Sequence, residues 1–321
     1  MTIDRNSDGE PTGIFIDQNT YPTVEFNLMR VVPRFTHAQT VEVLKRSMAL
    51  YNSVGTTGTY EGHGVAPEIV RAYKEVWDSG GAATVRSHLA LNPVWESTAE
   101  AEQDMEQWAY TASGSGFGSE MLKLTGVYLQ YGGSQYISES RLAELPFTGW
   151  AGFGQKSNDA GRFQEFAHLA ARHNLRVNTL VRDTLEEVLT IFEEVHRVTP
   201  IDDRRWVINH VLQASPQQLQ RINKLGLVVE TIPLTEVWLR GPKFVDQPDL
   251  ADSAVSHRRY GDMGVQYAFG TDNKPYSPFA TLWAAVARTE RGTGTVLGPE
   301  QRLSRMDALR AFTMGGAYFC S

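Results

Sequence analysis

Two short stretches hold the residues best suited to chemistry. Asn209-His210 follows the apolar run Trp206-Val207-Ile208, and Gly270-Thr271-Asp272 follows Val265-Gln266-Tyr267-Ala268-Phe269. Each sets an imidazole or a carboxylate just past a short segment of strand character. Other such segments end in polar groups too: Glu61 and His63, Arg86 and His88, Gln130, Asn178 and Arg182, and Glu230. Divalent metals of the zinc class take imidazole and carboxylate ligands. Water on such an ion loses its proton near neutral pH and becomes a nucleophile. A carboxylate beside it can accept that proton and later pass it to a leaving amine. His210 is the candidate ligand and Asp272 the candidate carboxylate.

Taken singly, these residues have plainer readings. A strand-end histidine is commonly a hydrogen-bonded structural residue, and Gly-Thr-Asp is also a helix-capping turn. Glu61-Gly62-His63-Gly64 reads as a pocket loop or as ordinary loop chemistry. Arg86 and His88 fit the polar side of a strand. His37, His168, His173, His196 and His257 read as surface or packing residues. Trp95, Trp238, Trp283 and Tyr276 suit an aromatic pocket or a core equally well. The chain has no His-x-His, His-Glu-x-x-His, Cys-x-x-Cys or phosphate-binding Gly-x-x-x-x-Gly-Lys. Gly114-Ser115-Gly116-Phe117-Gly118 has the wrong spacing for a dinucleotide fingerprint, and 113–119 reads as a flexible loop.

The elements that must position these groups alternate. Strand candidates fall at 55–61, 84–90, 124–131, 176–181, 205–210, 226–232 and 265–270. Helix candidates fall at 67–79, 97–110, 159–173, 185–196, 216–225, 278–289 and 304–317, after a first helix that opens at Thr36. Thr36-His37-Ala38-Gln39 has capping-box spacing. Ser215-Pro216-Gln217-Gln218 adds a proline in the first helical position. Strands alternating with helices mean parallel strands joined by crossover helices. Polar groups recur at strand ends along the whole chain, which favours a TIM-like (β/α) barrel over an open sheet with one switch point. The expected fold is therefore α/β, with about seven of eight strand–helix units over 36–321. Residues 1–35 form a turn-rich segment packed on it.

Composition sets bounds. The 321 residues are 41% hydrophobic and 21% charged, with net charge −7 and a pI near 5.7. That acidity argues against general binding to nucleic acid or to an anionic membrane. The polar start is no signal peptide, and no run nears the ~20 apolar residues of a membrane span. A single cysteine, Cys320, excludes an internal disulfide. The expected location is the cytoplasm. A seven-strand barrel leaves two unpaired edges, so either poor behaviour in isolation or association with another copy is expected.

The order of motifs resembles the amidohydrolase superfamily, specifically amidohydrolase family 3. Asp8-Gly9-Glu10-Pro11-Thr12-Gly13, Val54-Gly55-Thr56-Thr57, Leu124-Thr125-Gly126-Val127, Arg205-Trp206-Val207-Ile208-Asn209-His210, Phe269-Gly270-Thr271-Asp272 and the helix around Ala308-Leu309-Arg310-Ala311 fall in the family's order. The resemblance implies a metal-dependent barrel hydrolase acting on carbon–nitrogen bonds other than peptide bonds, usually with zinc. It implies that His210 is a metal ligand and that Asp272 is a ligand or the base that activates water. Glu61, His63, Tyr128 and Arg182 are the expected substrate contacts, for a small amide or related molecule. The chain is expected to lack the family's flanking β-sandwich and closing strands, and it departs from the pattern at three further places. The family's first strand, with His-x-His, has no counterpart here. Tyr128 stands where a lysine or another bridging group is usual, and 177–183 has no histidine. Two alternatives follow: a degenerate barrel that binds a small molecule without turnover, or metal-free acid/base chemistry by Glu61 and Glu230.

Overall fold

The apolar runs become strands because β-branched and aliphatic residues suit a sheet covered on both faces. The computed structural model describes residues 2–16, 35–132, 158–181, 183–247, 250, 251, 254, 256–272 and 276–320. Strands β1 (Thr2–Arg5) and β2 (Pro11–Ile16) form an antiparallel hairpin. Then follow β3 (Gly58–Val65), β4 (Arg86–Leu91), β5 (Phe117–Gly118), β6 (Leu122–Tyr128), β7 (Val177–Leu180), β8 (Val207–Asn209), β9 (Val228–Thr231) and β10 (Gln266–Phe269). Seven of these make one parallel sheet in the order β10-β9-β8-β7-β6-β4-β3, with β5 antiparallel on β6. The expected loop at 113–119 is thus partly a strand.

The sheet curls into an open barrel. Tyr60 on β3 donates its hydroxyl to Asn178 Oδ1 on β7 at 2.7 Å, across two intervening strands. The helix α1 (His37–Ser53) leads into β3, and parallel strands need crossovers, supplied here by α2 (Pro67–Asp78), α3 (Thr98–Trp108), α4 (Ala160–Arg172), α5 (Leu185–Val198) and α6 (Pro216–Lys224). After β9 come a π-helical turn (Leu234–Leu239), a 3-10 turn (Gly241–Phe244) and α7 (His257–Asp262). After β10 come α8 (Pro278–Ala287), α9 (Arg305–Arg310), a π turn (Ala311–Gly315) and α10 (Gly316–Cys320). Thr36 and Ser215 make the two capping boxes that their spacing predicts.

Two apolar layers flank the sheet, as period-two alternation requires. Outward-facing Ile208 and Val229 join Trp206, Phe163, Phe166, Phe192 and Trp95 under the helices. Inward-facing Val207, Val228 and Ala268 meet Phe319 from the chain's last helix. That burial carries the helix beyond the expected stop at 317. Arg176 lies over the rings of Tyr60 and Phe319, which meet edge-on at 4.4 Å, and donates to Phe319 O at 2.7 Å. Among the described residues no helix is long and apolar enough to cross a membrane.

Gly226 shows how tightly the turns are set. Its φ is +63°, and a Cβ there would lie 1.9 Å from Asp202 O. Gly226→Ala should destabilise the protein by at least about 2 kcal/mol, from left-handed strain plus this clash. Urea denaturation reads the change, and a variant as stable as the parent would refute this view of the turn.

Candidate active site

Alternation along β8 and β9 decides what faces the interior. Val207 and Val228 form an inner layer, and two residues on Asn209 and Glu230 form the next. Gly62 faces Asn209 across the barrel, where a Cβ would lie 3.2 Å from Asn209 Oδ1. Gly270 closes the layer. A Cβ on it would sit 2.1 Å from Glu230 Oε1, so the missing side chain makes room for that carboxylate.

His210 follows Asn209 directly and Asp272 lies two residues past Gly270, and both have left-handed backbones, at φ +59° and +56°. Such conformations cost free energy in a residue with a side chain and collect at functional sites. His210 is 3% exposed, and its backbone N–H donates to Glu230 O at 3.0 Å. Asp272 is exposed. Both line a cavity of about 1130 Å³ along the open side of the barrel, together with Glu61, His63 and Glu230. The His63 ring stacks on His210 with centroids 5.5 Å apart and planes 14° off parallel. His88 lines the same cavity and its Nδ1 is 2.7 Å from Cys320 O.

The expected substrate contacts separate. Glu61 and His63 reach the cavity from within β3 and not from beyond its end, because the strand runs on to Val65. Tyr128 is buried and is not among the residues lining that cavity. Its hydroxyl bonds Gln130 Oε1, and its ring meets His63 edge-on at 5.5 Å. Arg182 lies outside the described residues. Trp95 is core, while Trp283 is 46% exposed. His257 is fully buried.

One residue went unseen in the sequence. Glu236, in the π-helical turn, is 1% exposed, and its Oε1 lies 3.8 Å from His210 Nδ1. A carboxylate inside a mostly apolar turn gives no periodic or motif signal. Its value appears only when that turn brings it against Thr231 and His210.

Burial raises two carboxyls out of their ordinary range. Glu61 is pushed up to about 7, chiefly by desolvation, with the Asp272 and Glu230 charges adding to it against a His63 backbone hydrogen bond. Glu230 also rises to about 7 by desolvation; His210 opposes the rise, and Glu236 and Asp272 add to it. The fold therefore favours the protonated forms. Their contribution to stability is complete below the ordinary value of 4.5 and is lost as pH climbs through about 7. The metal-free protein should lose stability across that window, and Glu61→Gln should flatten the slope. Denaturation midpoints measured across the window check this, and an unchanged slope in the variant would contradict it.

The donor types suit zinc, with imidazole from His210 and His63 and carboxylate from Asp272 and Glu230. Among the described residues, however, no three histidine, cysteine, aspartate or glutamate side chains group closely enough to enclose an ion. The site is an open set of donors of the right chemistry and not a closed cage.

Parallel strands curled with their helices outside, and a polar site at the strands' carboxyl ends, define a protein of the (β/α)-barrel class. A family model described as amidohydrolase family matches residues 1–321, and the chain belongs to that family. No curated protein matches it. Among solved structures it is similar to an uncharacterized metal-dependent hydrolase from Pyrococcus horikoshii OT3. The two are 20% identical with a TM-score of 0.66, over 89% of this chain and 56% of that one. A corresponding protein from Pyrococcus furiosus is 19% identical with a TM-score of 0.65, over 92% and 58%. An adenosine deaminase from Xanthomonas campestris with bound zinc is 16% identical with a TM-score of 0.56, over 92% and 60%. The chain spans less than two thirds of the length of each. These likenesses establish the barrel fold.

Proposed function

We propose that this chain forms the barrel of a divalent-metal hydrolase that cleaves carbon–nitrogen bonds other than peptide bonds in a small amide or related substrate. The observation that carries the reading is the placing of His210 and Asp272. They stand past the ends of β8 and β10 and face one cavity, in a chain of the amidohydrolase family. The names of the similar proteins, two metal-dependent hydrolases and a deaminase with bound zinc, support the same direction.

His210 and Asp272 would hold the ion, and zinc is the metal proposed. When bound, it supplies a Lewis acid and a water of lowered pKa. Asp272, exposed to the cavity, is positioned to accept a proton from attacking water. Glu230, held partly protonated near neutral pH, is suited to hand one to a leaving nitrogen. Glu61 and His63 would hold the polar end of the substrate from β3, with Tyr128 bracing His63 and Arg182 as a further contact.

The spread of the donors favours one second reading, a barrel that binds a small molecule without turnover. Ammonia release from a panel of amides and ring-bound amines, with added zinc and with chelator, separates the readings. Zinc-dependent release is expected. Release that survives chelation would instead point to Glu61 and Glu230 as an acid/base pair. Binding without release at any metal concentration would favour the second reading.

A further inference from the structure

Behind His210 lies a buried polar chain that the family motifs leave unassigned. Glu236 Oε2 accepts hydrogen bonds from Thr231 Oγ1 at 2.6 Å and from Ile232 N at 3.2 Å. Thr231 Oγ1 also lies 3.4 Å from His257 Nε2. On the other side, Glu236 Oε1 and His210 Nδ1 are both buried, both without a hydrogen-bond partner, and 3.8 Å apart. A buried acceptor and a buried ring nitrogen left facing each other in this way are a pair that a small movement joins.

The direction of the chain follows from counting protons. The Thr231 hydroxyl gives its one proton to Glu236, so its oxygen is the acceptor for His257. His257 is fully buried, and desolvation, with Arg288 adding to it, keeps it neutral, so it carries a single proton. Only Nε2 meets Thr231, which puts that proton on Nε2. The Glu236 carboxylate is then held by Thr231 and Ile232, with Oε1 turned to His210. His210 lines the cavity while Nδ1 is turned from it, leaving Nε2 as the nitrogen available to the cavity.

We propose that Glu236 is a positioning residue that keeps the His210 proton on Nδ1 and so presents the Nε2 lone pair to the cavity, with Thr231 and His257 fixing the carboxylate. This rests on the reading of His210 as a metal ligand, for which a neutral imidazole with a free lone pair is required.

Long-range proton–nitrogen NMR of the histidine rings tests it on the metal-free chain. Wild-type His210 should show a protonated Nδ1 and a bare Nε2. In Glu236→Gln the amide oxygen should keep Thr231 and Ile232, turning its NH2 toward His210 and driving the ring proton to Nε2. A wild-type His210 protonated at Nε2 would overturn the proposal, and this readout needs no variant to fold. So would a folded Glu236→Gln chain that keeps the proton on Nδ1. Zinc competition against a chromophoric chelator is the separate arm, with affinity expected to fall about 10- to 100-fold in Glu236→Gln. A tautomer switch with unchanged zinc affinity would support the relay and overturn the ligand reading beneath it.

Discussion

Replacing Asp272 by asparagine should lower hydrolysis by about 10²- to 10⁴-fold, the range that a positioned proton acceptor contributes. Asparagine keeps the shape and tolerates the left-handed backbone that residue 272 adopts, at φ +56°. The fold should therefore survive, and the loss should fall on the proton acceptor or on metal retention. Substrate binding measured at equilibrium should change far less than turnover. If Asp272→Asn retained full turnover, Asp272 would be a helix-capping turn and nothing more. If both binding and turnover vanished with the melting point unchanged, Asp272 would be a substrate contact.

Trp206→Ala should be the most damaging change to stability. Trp206 is fully buried, its ring meets Phe192 at 4.9 Å and 73°, and its Nε1 donates to Leu175 O at 3.1 Å. Truncation removes the ring, leaves a cavity and orphans a carbonyl, with an expected loss of about 3–5 kcal/mol. That is a large part of the ~5–15 kcal/mol by which domains are stable. The residue also immediately precedes β8, so the strand that carries His210 should loosen with it. Chemical denaturation gives the value, with Trp206→Phe expected to recover much of the loss. A change below about 1 kcal/mol would mean that the helix–sheet interface repacks freely, against the density of protein cores.

What the sequence disclosed, and what it hid, follows from range. Thr36 and Ser215 are local signals, because a cap needs only the residues three positions on. His210 and Asp272 were visible because each ends an apolar run. The strand alternation was legible too, although β3 begins and ends later than expected, at Gly58–Val65. The meeting of Tyr60 with Asn178 was not legible, since only the curl of the sheet joins positions 118 apart. Glu236 was hidden for the same reason, and so was the fit of Glu230 over Gly270. Tyr128 stands out in the sequence only by its place in a family pattern, whereas burial turns its ring onto His63 and its hydroxyl to Gln130.

The proposed hydrolase needs His210 and Asp272 to form a metal site. Calorimetric titration of the tag-free chain with zinc, beside His210→Ala, decides whether they do. About one ion per chain, bound by the parent and lost in the variant, is the expected result. No binding by the parent, or equal binding by both proteins, would contradict it.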